Sequence, residues 1–431
     1  MPRLLRELVN PRVGVIRRIE RLSRGPLEPT PPYIAQATLA HFDYRKVPAG
    51  DRSGTGRGLT EAGAIDAAIG EAMERYCAGQ PQQAKFVRAP YEAVRAHAVA
   101  PPEFGLYSER QYECREIAFP RWDPQREISW VWARRLTDGE RVLVPSSLVY
   151  LDYVGNYAET YYCDGTSSGL AAGPTLESAT LSALLELVER DAYVTTWLHR
   201  LPAREIALDD IEERTRQVVA RYARLGVETR AFLLAGEFSA PVVFAMLLGS
   251  DCAPALVSGL GCAFDPREAL WRAVSEASQG HPGQVVRCAQ TKCGAHLKRY
   301  EDVQVIEDHA AFFFDRQRLP ELEFMLRESK PVRLSSQGPI ANSKAEQLRE
   351  LVAEMARCGY DPMVVEITTP DLVNFPIHVV RTLVPGLQPI QFGFGHERLG
   401  CERLYRVPQL LGFSTRRAEE HELNYCPHPL S

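Results

Sequence analysis

The feature that most constrains this chain is a short pattern that occurs three times. Glu71-Ala72-Met73-Glu74-Arg75 returns as Glu186-Leu187-Val188-Glu189-Arg190 and, in weaker form, as Glu276-Ala277-Ser278-Gln279. In each copy the acidic or amide groups stand three residues apart, so a helix places them one turn apart on one face, close enough to share a ligand. A single such face is ordinarily solvated surface. Three of them converging in a protected site would repel one another unless a cation sat between the oxygens, and hard oxygen ligands of this kind suit Mg²⁺.

What precedes two of the copies adds to this. Ser53-Gly54-Thr55-Gly56-Arg57-Gly58-Leu59-Thr60 leads into a helical pattern starting near Glu61, with Thr60 as N-cap and Ala64, Ala67, Ala68, Ala72 and Met73 as a small-residue packing face. A glycine-rich turn lets backbone N–H groups face a ligand, and a helix N-terminus favours anions, so phosphate oxygens fit there; a tight turn is the plainer reading. Asp164-Gly165-Thr166-Ser167-Ser168-Gly169-Leu170-Ala171-Ala172-Gly173 likewise precedes the helix of Glu186 and Glu189. The combination points to a nucleotide site, with phosphates at the loops and Mg²⁺ at the carboxylates. No G-x-x-x-x-G-K-[ST] occurs, so it is not a Walker A loop. A di-iron carboxylate bundle needs Glu-x-x-His pairs, and none of the three copies has one. Arg75 and Arg190 directly follow the second carboxylate of their copies and either hold phosphate or pair with the carboxylates.

Composition excludes other classes. With 431 residues, 45% hydrophobic and 24% charged, the chain is large enough for a substantial core, and its formal charge of −5 gives no support to sequence-independent nucleic-acid binding. Ten cysteines form no C-x-x-C, so they are expected as free thiols in a reducing compartment, with Cys77 and Cys163 as packing residues. There is no signal-peptide pattern, and the longest apolar run, around Ala240 to Leu248, is too short for a bilayer; a soluble, cytoplasmic protein is expected. Strands are expected at 8–19, 33–42, 128–133, 141–144, 227–234, 242–248, 255–258, 363–368 and 377–383, with helices at 91–98, 209–225 and 343–358 beside those of the repeated pattern.

The residues resemble the YcaO superfamily, and over most of the chain the streptolysin-type D proteins of thiazole/oxazole peptide biosynthesis. The resemblance rests on Leu8-Val9-Asn10-Pro11-Arg12-Val13-Gly14, on Gly56-Arg57-Gly58-Leu59-Thr60 with Glu71-x-x-Glu74-Arg75, and on Thr166 to Gly173 with Glu186-x-x-Glu189-Arg190-Asp191. It continues through Ala269 to Gln279, Thr369-Pro370-Asp371, Phe375-Pro376, Val384 to Leu387 and Arg403 to Pro408. It implies an α/β (α+β mixed) fold, one large domain with mixed sheets and a nucleotide cleft lined by three acidic helices. Residues 41–431 would form that domain, and residues 1–40 an N-terminal segment for assembly with a partner or a second copy. It further implies an ATP- and Mg²⁺-dependent cyclodehydratase that turns Cys, Ser or Thr of a ribosomal precursor peptide into azolines; thioamide or macroamidine formation, or a degenerate scaffold, are the alternatives. Glu71, Glu74, Glu186, Glu189 and Gln279 would hold Mg²⁺. Arg57, Arg75, Ser167, Ser168, Arg190 and Glu276 would join them around the nucleotide, and a separate E1-like leader-binding partner would deliver the peptide.

Several positions depart from the family pattern. A small hydroxyl residue is replaced by Ala67, a lysine by Arg57, an asparagine by Pro174 and a glutamate by Ser178, with Glu177 beside it. His281 stands where a basic residue is expected, and the proline-rich tail is reduced to Cys426-Pro427-His428-Pro429-Leu430-Ser431. His281 is expected to replace a lost basic contact and His428 to decorate the tail, although either imidazole could serve as a general acid or base. No Ser-His-Asp or Cys-His arrangement emerges from the spacing.

Overall fold

A computed structural model describes residues 3–23, 25, 28–40, 53–81, 85–114, 117–151, 161–249, 254–326, 330–335 and 343–431. Three sheets carry the fold. The first joins β1 (Ile16–Arg21), β2 (Tyr33–Leu39) and β3 (Ser53–Gly58) in that order. The second, in the order β11-β10-β9-β8, is made of β8 (Arg204–Glu205), β9 (Val227–Leu234), β10 (Val242–Gly249) and β11 (Leu256–Cys262). The third runs β4-β5-β12-β13-β7, with β6 paired to β5; its members are β4 (Val87–Pro90), β5 (Glu127–Arg135), β6 (Arg141–Pro145), β7 (Leu170–Gly173), β12 (Met363–Glu366) and β13 (His378–Leu383). All ladders between these strands are antiparallel. The expected α/β (α+β mixed) architecture is the one observed.

The stretch Ser53–Gly58 is not the anion-binding turn expected from its glycines. It is a strand, and the glycines serve packing. A Cβ on Gly54, Gly56 or Gly58 would lie 2.2, 2.1 or 2.6 Å from the backbone nitrogen of Ala72, Ala68 or Ala64. Those alanines form a ridge at four-residue spacing along the first acidic helix, Glu61–Ala78, which Thr60 caps by accepting from the Gly63 N–H. Period-two glycines therefore let the strand lie directly on the helix backbone.

The same device recurs on the second sheet. Gly259-Leu260-Gly261-Cys262 continues β11 beyond the 255–258 expected, and a Cβ on Gly259 or Gly261 would lie 2.5 or 2.6 Å from the nitrogen of Ala277 or Ala273. These belong to the third acidic helix, Pro266–Gln290, opened by Asp265, which accepts from Arg267 N–H. Twice, then, three antiparallel strands are followed by an acidic helix seated on the glycines of the last strand.

The second acidic helix, Leu176–His199, runs between the layers. Ala179 and Ala183 pack with Val364 and Val380 of the third sheet, while Tyr193 and Trp197 join the large core with Phe232 and Phe244 of the second. Arg403 fixes this helix from the C-terminal side through Asp191 at 2.6 Å, and it also reaches Glu237 at 3.0 Å.

Other expectations shift at their edges. The strand expected at 8–19 covers Ile16–Arg21 after a 3-10 turn at Arg3–Leu8, and the helix expected at 91–98 is the single turn Tyr91–Val94. The boundary drawn at residue 40 falls just after β2, which pairs with β3, and residues 41–52 lie outside the described residues. The nine described cysteines are free thiols, with Cys77 and Cys163 buried, while Cys252 lies outside the described residues. Among the described residues, no helix is long and apolar enough to cross a membrane.

Candidate active site

A cavity of about 590 Å³ opens where the three acidic helices approach one another. Its wall includes Glu71, Glu74 and Arg75 from the first helix, Glu186 and Arg190 from the second, and Glu276 and Gln279 from the third. Arg57 of β3 and the turn residues Ser167 and Ser168 complete the expected set. Glu189 is the exception: it does not line this cavity, although Glu276, Glu186 and Arg57 all act on its charge.

Backbone N–H groups hold three of the carboxylates in place. Thr55 donates to Glu71 at 2.9 Å, Ala172 to Glu74 at 2.7 Å and Gly169 to Glu186 at 3.2 Å. The Asp164–Gly173 stretch acts through these bonds: Thr166–Ser168 turn along the cavity, Gly169 takes a φ of +84°, and Leu170–Gly173 forms β7. Arg57 spans from β3 to the third helix, donating from Nη1 to Gln279 Oε1 at 2.9 Å and from Nη2 to Glu276 Oε2 at 3.0 Å. Arg75 and Arg190 both pair with carboxylates one turn back, at 3.5 Å to Glu71 and 3.8 Å to Glu186, and both face the cavity.

The electrostatics favour a cation. Burial, followed by the Glu71 charge, pushes the Glu74 carboxyl up to about 8. Burial and then Glu276 raise Glu189, and burial raises Glu186. At about 8, the Glu74 and Glu189 carboxyl groups hold protons at neutral pH unless a cation takes their place, so the donor set fits Mg²⁺. Among the described residues, however, no three His, Cys, Asp or Glu side chains are gathered into a metal cluster. Mg²⁺ commonly takes one or two carboxylates together with phosphate oxygens, so the arrangement suits a metal–nucleotide pair rather than a bare ion.

Three departures from the family pattern have structural explanations. Ser178 is the N3 residue of a capping box, accepting from Thr175 N–H at 3.2 Å, and does not line the cavity. Ala67 is exposed and does not line it either. His281, expected as a basic contact in the site, turns instead to Glu28, with Nδ1 3.0 Å from Oε1, while Tyr222 donates to the other Glu28 oxygen at 3.1 Å. A carboxylate within reach draws the imidazole away from the cavity.

His428 is likewise no surface decoration. It is buried against His309 with ring centroids 4.4 Å apart, and burial together with His309 pushes it well below its usual value, so it is neutral at pH 7. The C-terminal residues reach the site: Pro429 and Ser431 line the cavity, and Ser258 Oγ donates to the Pro429 carbonyl at 3.1 Å. Sequence reasoning missed Thr55, Ser182, Ser258 and Gln284 in the wall. Only Thr55 carried a signal, since it alternates with the glycines of β3.

A family model described as "YcaO cyclodehydratase, ATP- and Mg²⁺-binding" matches residues 55–388. An uncharacterized protein of Methanothermobacter thermautotrophicus is 26% identical over 353 residues, covering 80% of this chain and 83% of that protein. Among solved structures, a heterocyclase in complex with substrate and cofactor superposes with a TM-score of 0.81 at 24% identity, over 99% of this chain and 56% of its own. This chain thus spans about half the length of that heterocyclase. YcaO from Methanopyrus kandleri bound with AMPPCP and Mg²⁺ gives a TM-score of 0.61 at 21% identity, over 86% of each chain. The model match covers well over half of the sequence and falls on the strands and helices that build the cavity: the chain belongs to the YcaO cyclodehydratase family, whose cofactors are ATP and Mg²⁺.

Proposed function

We propose that this chain modifies a backbone amide of a ribosomally synthesised precursor peptide in an ATP- and Mg²⁺-dependent reaction, by cyclodehydration of Cys, Ser or Thr to azolines. The observation that carries this reading is the convergence of three acidic helices and three arginines, Arg57, Arg75 and Arg190, on one cavity. ATP, when bound, would supply the activation by making the amide oxygen a good leaving group. The side-chain sulfur or oxygen gives up its proton as it bonds to the preceding carbonyl carbon. The oxygen would depart as phosphate while the amide nitrogen gives up its proton, with ADP as the other product and a net loss of one water from the peptide.

The protein's part is positioning and charge. Glu71, Glu74, Glu186, Glu189 and Gln279 would hold Mg²⁺ in this reading, four of them from the cavity wall and Glu189 from behind it. Arg75 and Arg190 meet phosphate oxygens, Ser167 and Ser168 offer hydroxyl groups, and Glu276 holds Arg57 in line. The resemblance supports a separate E1-like partner for the precursor peptide, and a homodimer and a cytoplasmic setting are part of the same proposal.

Thioamide or macroamidine formation uses the same activation with a different nucleophile. A scaffold role has one observation in its favour: Arg57 already occupies Glu276 and Gln279. Incubation with ATP, Mg²⁺, the partner and a Cys-containing precursor separates the azoline, thioamide and scaffold readings by mass. Thiol labelling tells an azoline, which consumes the Cys thiol, from a macroamidine, which also loses one water but leaves the thiol free. Loss of one water per modified site together with the thiol supports azoline formation. An unchanged peptide despite nucleotide binding, a gain of sulfur, or loss of water with the thiol still free contradicts it.

A further inference from the structure

A second, smaller cavity of about 60 Å³ adjoins the first and shares Thr166, Ser168 and Arg190 with it. Two more arginines, Arg381 and Arg398, line it, each only 4% exposed. Among the described residues neither makes an ion pair. Arg381 Nη1 donates to the Thr166 carbonyl at 2.7 Å, and Arg398 Nη1 donates to the Gly105 carbonyl at 3.3 Å and the Cys163 sulfur at 3.2 Å. The Nε atoms of Arg190, Arg381 and Arg398 are all buried without a hydrogen-bond partner.

The charge count is uneven. Three guanidinium groups line the pocket against one carboxylate of the lining, Asp164, whose charged form is disfavoured by burial. Glu186 of the neighbouring wall pairs with Arg190 at 3.8 Å and acts on Arg381, which leaves the three partnerless Nε atoms to be met. Burial lowers Arg381 to about 10, with Glu186 raising it and Arg398 lowering it, so it remains a cation at neutral pH. Buried cations facing carbonyl and thiol groups are costly unless an anion completes them. Guanidinium groups match the oxygens of a tetrahedral oxyanion, and the volume suffices for a group of that size.

We propose that this side pocket is an oxyanion subsite that takes inorganic phosphate, the group released by the reaction proposed above. Its identity as a phosphate site rests on that reading; the demand for an anion rests on the arginines alone. Thr166 and Ser168 form the shared wall through which phosphate would pass from the large cavity.

The test is calorimetric titration of the nucleotide-free protein with inorganic phosphate at constant ionic strength, on wild type, Arg398→Gln and Arg398→Lys. Wild type is expected to bind one phosphate. Arg398→Gln should weaken it about tenfold or more, as the loss of a charge-assisted hydrogen bond implies, and Arg398→Lys should recover part of that affinity. If Arg398→Gln does not fold, phosphate-dependent thermal stabilisation of wild type and Arg398→Lys gives the same comparison. No saturable phosphate binding by wild type up to about 10 mM overturns the subsite, as does unchanged binding by Arg398→Gln. Repeating the titration with Mg–ATP present distinguishes the source of the anion. Retained phosphate binding supports a site for the free ion, whereas exclusion of phosphate contradicts it and gives the pocket to the nucleotide's own terminal phosphate. A protein that binds phosphate but not Mg–ATP sinks the proposed function and leaves the subsite standing.

Discussion

Glu74 shows how much one buried carboxyl can report. Its folded value of about 8 lies above the 4.5 of an ordinary glutamate, so between those values the folded state holds a proton that the unfolded state has lost. Its contribution to stability is therefore present below about pH 4.5 and lost as pH rises through about 8. Glu74→Gln removes this dependence. In thermal denaturation without nucleotide, the variant is expected to gain on wild type as pH goes from 5 to 8.5, and a pH-independent difference contradicts the assignment. The same protons must leave when a cation binds. Mg–ATP titrations at pH 7 in buffers of different ionisation enthalpy are expected to show proton release, which Glu74→Gln reduces. The carboxylate pairs were legible in the sequence because three-residue spacing is a helical signature. Arg381 and Arg398 were not: they meet Arg190 from about two hundred residues away, with no periodic pattern to announce it.

Among the elements, β3 and β11 carry the clearest lesson. A Gly-x-Gly run preceding a helix is compatible with a phosphate loop and with a strand pressed onto that helix, and the local sequence alone does not choose. The deciding signal lay in the helix, where Ala64, Ala68 and Ala72 repeat at the spacing needed to meet Gly58, Gly56 and Gly54. Gly56→Ala would force a methyl group to within 2.1 Å of the Ala68 nitrogen, so a loss of about 3 kcal/mol or more in urea denaturation is expected. Gly283, inside the third acidic helix, has nothing within 4 Å of an added Cβ, and Gly283→Ala should stabilise by up to about 1 kcal/mol. Equal effects at the two positions contradict the packing argument. Strands β9 and β10 were legible to within a residue, because β10 is a continuous apolar run and β9 alternates inward and outward residues from Val227 before its apolar end, Ala231–Leu234.

In the whole molecule, the cavity exists because distant stretches of chain are brought together. The third sheet sets β5 beside β12 and β7 beside β13, joining partners more than two hundred residues apart, and the N-terminal Glu28 meets His281 of the third acidic helix. Local pattern specifies the elements but not these pairings, so the sequence supports the fold class and the three acidic helices without their arrangement. The tail illustrates the same limit. Its residues carry no periodic pattern, yet Pro429 and Ser431 line the cavity, with Trp197 Nε1 anchoring the Cys426 carbonyl at 2.6 Å.

The central claim is that the three acidic helices together hold a Mg²⁺–nucleotide complex, and calorimetric titration of ATP with and without Mg²⁺ tests it most directly. Wild type is expected to bind ATP only weakly without the metal and tightly with it. Glu74→Ala and Glu189→Ala, each removing a carboxylate from the set, should each lower Mg–ATP affinity by about tenfold or more. No Mg²⁺-dependent binding by wild type, or binding by both variants at wild-type affinity, would contradict the account.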